Sequence, residues 1–171
     1  MDKRPAHVLF LCTGNSARSI LAEALANHLG RGRLRGYSAG SHPRGMVAPE
    51  AVAVLARHGV PVDGLHAKGF DAFTGPDAPR FDLVVTVCDA AARQPCPVWP
   101  GAPATVAWSL PDPAAAPPAG RERAFESTFD ALRLRIEALA VQGPDAGPAE
   151  LATAAACIHE QFSATGSKDS S

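Results

Sequence analysis

The chain opens on an almost purely apolar run, His7 to Leu11 (HVLFL), which stops at a polar, glycine-containing loop beginning at Cys12. A short run without alternation fits a strand buried on both faces, as in a parallel sheet. Apolar positions then share one helical face at Ala17, Ile20, Leu21, Ala24, Leu25 and Leu29, and Gly30 ends that helix. Arg35 to Ser41 (RGYSAGS) reads as a weaker strand. Pro49 opens a second helix through Val52, Leu55 and Ala56, closed by Gly59. Asp82 to Val87 (DLVVTV) has the clearest strand pattern, and Ala104 to Leu110 (ATVAWSL) supplies a fourth strand. A long helix follows over Arg121 to Val141, its buried stripe formed by Phe125, Phe129, Leu132, Ile136 and Leu139. Strands alternating with helices predict an α/β sandwich around a parallel sheet.

The pattern changes after residue 142. Gly143 to Pro148 (GPDAGP) has linker composition, and Leu151, Ala155, Ile158 and Phe162 then fall on one face of a short helix. The final SATGSKDSS is small and polar, which predicts disorder. The expected organisation is one domain over residues 1–142, then linker, short helix and disordered tail over 143–171. A length of 171 residues suits a single core, and no internal repeat is present.

Composition narrows the function classes. The formal net charge of -1 gives no footprint for nucleic acid or an anionic membrane. No apolar run reaches the roughly 18 residues of a membrane span. The N-terminal apolar stretch is broken by Thr13-Gly14-Asn15 too soon for a signal peptide, so a cytoplasmic protein is expected. Four cysteines are present: Cys12, Cys88, Cys96 and Cys157. In a reducing compartment cysteines tend to be buried, metal-bound or catalytic rather than disulfide-bonded. No C-x-x-C pair exists and the six histidines are scattered, which argues against structural zinc.

The chemistry concentrates in Cys12-Thr13-Gly14-Asn15-Ser16-Ala17-Arg18-Ser19, between the first strand and the first helix. Backbone N–H groups of such a loop and of the first helical turn converge on one point, with the helix dipole adding positive potential. That potential favours the thiolate of a cysteine at its mouth. Arg18 offers a planar fork matched to two oxygens of a tetrahedral oxyanion, and Ser19 can donate to the sulfur. Gly14 permits a backbone conformation closed to most residues.

The stretch VLFLCTGNSARSILAEALA resembles the active-site region of the low-molecular-weight protein tyrosine phosphatase superfamily, and within it the thioredoxin-coupled arsenate reductases. YSAGS at Tyr37 to Ser41, VVTVCDAA at Val84 to Ala91, CPVWPG at Cys96 to Gly101 and WSLPDPA at Trp108 to Ala114 follow in the family's order, covering roughly residues 6 to 141. The resemblance implies a single-domain three-layer sandwich with a four-stranded parallel sheet. It also implies Cys12 as nucleophile, Arg18 as oxyanion clamp and Asp112 as general acid. Pro111 and Pro113 would stiffen the loop of that acid.

A reductase must supply two electrons, which Cys12 alone cannot do. Cys88, just past the strongest strand, lies where α/β sites form, at the carboxyl edge of the sheet. Cys96 follows eight residues later, across a segment containing Pro95, a spacing slightly different from that of the resembled reductases. The expected cycle is attack of Cys12 on arsenic, resolution by Cys88 with release of arsenite, and attack of Cys96 on Cys88. Thioredoxin would then reduce the Cys88–Cys96 disulfide, with phosphate or sulfate as competing oxyanions and no organic cofactor. The physiological context implied is arsenic detoxification. Cys157 lies outside the resemblance and outside the relay.

Phosphatases of the superfamily present tyrosines after their Asp-Pro. Here Ala114-Ala115-Ala116-Pro117 follows, and the chain's one tyrosine is Tyr37, which makes a low-molecular-weight protein tyrosine phosphatase the alternative rather than the first reading. Some of the resembled reductases bind potassium at positions that here include Asn15, Glu23 and Ser38. No matching fourth carboxylate is evident in His66-Ala67-Lys68-Gly69-Phe70-Asp71. Either Lys68 supplies the cation's charge or Asp71 reaches the site.

Overall fold

The computed structural model describes residues 5–14, 17–42, 45–73, 78–87, 103–142 and 146–169, with side chains of the last helix described as far as residue 163. Strands β1 (Ala6–Cys12), β2 (Leu34–Gly40), β3 (Leu83–Thr86) and β4 (Ala104–Ala107) form one parallel sheet in the order β2-β1-β3-β4. Helices α1 (Arg18–Leu29), α2 (Pro49–Arg57), α3 (Arg121–Gln142) and α4 (Pro148–Asp169) surround it. The predicted α/β sandwich on a four-stranded parallel sheet is the observed fold.

β1 occupies the middle of the sheet because it can be buried on both faces: Val8, Leu9, Phe10 and Leu11 have no exposed surface. The register pairs Phe10 with Ser38 and Leu11 with both Ala39 and Thr86. On one face Phe10 meets the fully buried Trp108, ring centroids 6.2 Å apart, and α1 covers β2. On the other, the Tyr37 ring packs edge-on against Phe73 and Phe81 at 5.7 and 5.4 Å. The close seat of α1 on β2 requires glycine. A Cβ on Gly36 would stand 2.7 Å from the Cβ of Ala26 and 2.9 Å from the Glu23 carbonyl oxygen. Gly30 ends α1 for the same steric reason, since its own Cβ would meet the Ala26 carbonyl oxygen at 2.4 Å; its φ of -66° is not left-handed.

The C-terminal region departs from expectation. Leu151, Ala155 and Ile158 are buried and Phe162 is half-buried, as their spacing predicts. They belong, however, to one helix of 22 residues that runs through the segment expected to be disordered. The linker residues 143–145 lie outside the described residues. The helix persists because its apolar face finds a surface: α4 packs on α3 and on β4 and β3. Arg135 of α3, only 4% exposed, secures the contact. Its Nε donates to His159 Nδ1 at 3.1 Å, Nη1 to the Ala131 carbonyl at 2.9 Å and Nη2 to Ser163 Oγ at 3.2 Å. The Phe162 ring lies 5.9 Å from the guanidinium carbon. None of the described residues is in a helix long and apolar enough to cross a membrane.

To accept from Arg135, the His159 ring must be neutral at Nδ1. Burial holds its pKa below the ordinary imidazole value, the Arg135 charge adds to the depression, and Glu160 opposes it weakly. A histidine lowered on folding stabilises fully above its unfolded pKa of about 6.5, and that stability is lost as pH falls through the folded value. Between pH 7 and 5 the thermal midpoint should therefore fall more steeply for the native chain than for His159→Gln, whose carbonyl accepts without titrating. Parallel slopes in the two proteins would mean that this contact does not govern the docking of α4.

Candidate active site

Cys12 is the last residue of β1 and is 3% exposed. Its Sγ lies 2.8 Å from the hydroxyl of Ser19, which is itself fully buried in the first turn of α1. The N-cap of α1 is Ala17, which has no side-chain acceptor, and no acidic residue lies in the first turn. The first turn's N–H groups have no intrahelical acceptors, and with the positive end of the helix dipole they are suited to an anion. Thr13, Gly14 and Ala17 of the predicted cradle are described; Asn15 and Ser16 lie outside the described residues. The Thr13 carbonyl accepts the backbone N–H of His42 at 2.9 Å, tying the loop after β2 to the cradle.

Arg18 reaches across to the loop after β4. Its Nη1 donates to the Leu110 carbonyl oxygen at 2.9 Å, and Nη2 stands 3.8 Å from Asp112 Oδ2. Asp112 is held from its other side. Its Oδ1 accepts the Ala114 N–H at 3.0 Å, capping a 3-10 turn over Pro113–Ala115. An Asp-Pro pair does this naturally, because the proline at the first helical position fixes φ and the Asp side chain closes the turn. With Oδ1 engaged, Oδ2 faces the guanidinium, and a third of the Asp112 side chain stays exposed to meet a ligand. The structure thus brings Cys12, Ser19, Arg18 and Asp112 to one end of the sheet. The Leu110 carbonyl was not foreseen; a backbone acceptor leaves no trace in residue identity.

Cys88 and Cys96 fall outside the described residues. The described chain runs to Val87, whose N–H donates to the Leu11 carbonyl at 2.8 Å, one residue before Cys12 in β1. Cys157 is exposed on α4.

The region where potassium was considered is occupied by a side chain. Lys68 Nζ donates to Glu23 Oε1 at 3.1 Å, to Ser38 Oγ at 3.3 Å and to the His66 carbonyl at 2.9 Å. Ser38 also donates to Glu23 Oε1 at 2.5 Å. The segment is set in place by the Gly40 N–H, which donates to the Lys68 carbonyl at 2.9 Å. Lys68 thus brings its charge to the pair formed by Glu23 and Ser38.

Residues 7–153 match the family described as low molecular weight phosphotyrosine protein phosphatase, and the chain belongs to it. An arsenate reductase of Shouchella clausii (strain KSM-K16) is 33% identical over 143 residues, covering 80% of this chain and 96% of that protein. A glutaredoxin arsenate reductase of Synechocystis sp. (strain ATCC 27184 / PCC 6803 / Kazusa) is 31% identical over 106 residues, covering 62% and 77%. Among solved structures, an arsenate reductase in the phosphate binding state superposes with a TM-score of 0.64 at 26% identity, covering 81% of this chain and 99% of that one.

Glu23 and Lys68 are 14% and 13% exposed, so removing the ammonium leaves a largely buried carboxylate. Lys68→Ala should lower stability by roughly 1–3 kcal/mol, the usual cost of an unsatisfied buried polar group. Potassium should restore part of that loss in the variant and leave the native thermal midpoint unchanged. Thermal melts in potassium chloride and choline chloride make the comparison; equal stability of variant and native chain would exclude a bracing role for the pair.

Proposed function

We infer that the protein reduces arsenate to arsenite, with Cys12 as nucleophile, Arg18 as oxyanion clamp and Asp112 as general acid. The observation that carries this reading is the cluster in which a buried thiol bonds Ser19 while the adjacent Arg18 faces a capped, partly exposed carboxyl. It is supported by the match, over 80% of this chain, to a protein named arsenate reductase and by a similar arsenate reductase's structure in a phosphate binding state.

Arsenate enters with its oxygens on the N–H groups of the cradle and on Arg18, in competition with phosphate or sulfate. The Cys12 sulfur attacks arsenic and forms an S–As bond. A hydroxyl departs as water with the proton from Asp112. The Cys88 thiolate then attacks the Cys12 sulfur. An S–S bond forms, the electron pair of the S–As bond stays on arsenic, and arsenic(V) leaves as arsenite. Cys96 attacks the Cys88 sulfur, returning Cys12 as thiolate and leaving a Cys88–Cys96 disulfide for an external dithiol protein, thioredoxin. Val87, hydrogen-bonded beside the end of β1, brings the chain to within one residue of Cys88 next to the nucleophile's strand. The cycle suits a reducing cytoplasm and uses no bound cofactor.

One feature separates this reading from a tyrosine phosphatase. The chain's sole tyrosine, Tyr37, is packed among His7, Phe73 and Phe81 and is not a wall of the site. The loop beyond Asp112 continues with alanines and proline, so it offers no aromatic surface to a phosphotyrosine ring.

Cys12→Ser should abolish both arsenate reduction and any hydrolysis of a small aryl phosphate, since an alcohol here is not ionised near neutral pH. Arg18→Lys should lose most of both, because a point charge cannot replace the fork. Cys88→Ser and Cys96→Ser should keep aryl phosphate hydrolysis and lose thioredoxin-coupled turnover. Cys96→Ser should still release one equivalent of arsenite and stall as a Cys12–Cys88 disulfide, which mass mapping detects. Normal thioredoxin-coupled turnover by Cys96→Ser would rule out the last hand-off. Faster turnover with glutaredoxin and glutathione than with thioredoxin would replace the reductant. Steady aryl phosphate hydrolysis without arsenate reduction would restore the phosphatase reading.

A further inference from the structure

Trp108 stands four residues before Asp112, at the foot of the loop that carries the acid. It is fully buried, and its one polar side-chain atom, Nε1, donates to the Ala155 carbonyl oxygen of α4 at 2.9 Å. Its backbone N–H donates to the Thr86 carbonyl at 2.7 Å, and its ring packs against Phe10. Ala155 is fully buried too, and its small side chain lets the backbone of α4 come within hydrogen-bond reach of the indole.

Past Trp108 the loop rests on α3 through the turn over Pro113–Ala115. A cleft of about 410 Å³ lies between them, lined by Pro111, Asp112, Ala115, Ala124, Thr128 and Ala131. The small side chains on the α3 side leave it unfilled, so α3 supports the turn after Asp112 and leaves the cleft side of the loop open. Before Asp112 the loop is held by the grip of Arg18 on the Leu110 carbonyl, by the anchorage of Trp108, and by the Leu110 N–H on the Val87 carbonyl at 3.3 Å. The first of these must share its donors with the oxyanion when substrate binds. The second does not change during the reaction. Its acceptor, Ala155, lies beyond residue 153, where the match to the family ends.

We propose that α4 is a working part of the catalytic apparatus: through the Trp108–Ala155 hydrogen bond it fixes the loop bearing Asp112, which makes Trp108 a positioning residue for the general acid. The proposal rests on the reading of Asp112 as that acid. The bond ties the helix that follows α3 to a catalytic group that lies outside the strand–loop–helix cradle.

Single-turnover release of arsenite from the full chain tests it. Replacing Trp108 by 3-benzothienylalanine keeps the bicyclic shape and removes only the N–H; Trp108→Phe is the simpler variant, with thermal melts to establish that each is folded at the assay temperature. The saturating rate should fall by about tenfold, a part of what a general acid contributes. Half-saturating arsenate and competition by phosphate should move less than about twofold, because the cradle is untouched. In an Asp112→Asn background the same replacements should have no further effect, since the group they position is already gone. An unchanged rate, a loss confined to half-saturation, or equal proportional losses in both backgrounds would overturn the proposal. Asp112→Asn alone reports on the underlying reading: a normal rate there removes the acid role and the positioning role with it, whereas a slow Asp112→Asn beside a normal Trp108 variant removes only the latter.

Discussion

Between Cys12, which closes a strand buried on both faces, and Arg18, which opens α1, the chain has five residues in which to turn. That constraint brings the end of the strand and the start of the helix to one place. The first turn of α1 has N–H groups without intrahelical acceptors and contains no acidic residue, so an anion is the natural occupant. The same turn then uses two consecutive residues in two directions. Ser19 points into the core, where its hydroxyl meets the Cys12 sulfur, while Arg18 points outward to Leu110 and Asp112. About 100° of helical rotation between neighbours separates the inner role from the outer one.

An oxyanion cradle is only as rigid as the helix behind it, and α1 is fixed by sterics and by charge. Gly36 allows the helix to rest on the backbone of β2, and Asn27 closes the contact by accepting the Gly36 N–H at 2.9 Å and donating to its carbonyl at 3.1 Å. One turn earlier along the helix, Glu23 is bound to Ser38 of β2 and to Lys68. Ion pairs exposed to water contribute little, but this one is mostly shielded and each of its charges carries further hydrogen bonds. The loop after β2 is tied in as well, through His42 and Thr13. The helix therefore cannot slide along the strand without breaking a shielded charge pair.

The cradle was legible in the sequence because its chemistry is local. HVLFL, the polar break and an amphipathic helix identify the strand–loop–helix unit, and Cys12, Arg18 and Ser19 occupy fixed places within it. Asp112 was legible through the prolines on either side, and the structure adds that its side chain caps the turn that Pro113 begins. Contacts that join distant segments through the backbone were not legible. Leu110 grips Arg18 with a carbonyl, and Ala155 holds Trp108 with another, so neither side chain advertises the role. The tail was misread for a related reason. Its small polar residues lack a core signal of their own, and its helix depends on a surface that includes Arg135, a charged residue that no hydrophobic pattern would place inside. The contact of Lys68 with Glu23 depends on the pairing of Gly40 with the segment around Gly69, which residue spacing does not reveal.

The size of the substrate explains why so much of this scaffold converges on one loop. A phosphotyrosine brings an aromatic ring whose burial can help draw an acid loop into place, so that binding energy from a remote part of the substrate supports the chemistry. Arsenate has only its oxygens, and in the proposed mechanism those are taken by the cradle and Arg18. The acid loop must then be organised before substrate arrives, since fixed dipoles and acids assist a reaction only when no reorganisation is needed at the moment of transfer. Ala114, Ala115 and Ala116 give a ring nothing to pack against, and the cleft behind them is unfilled from α3. Preorganisation has to come from the protein's own ties: the Asp112 cap, the Leu110 carbonyl on Arg18, and the indole that α4 holds from below.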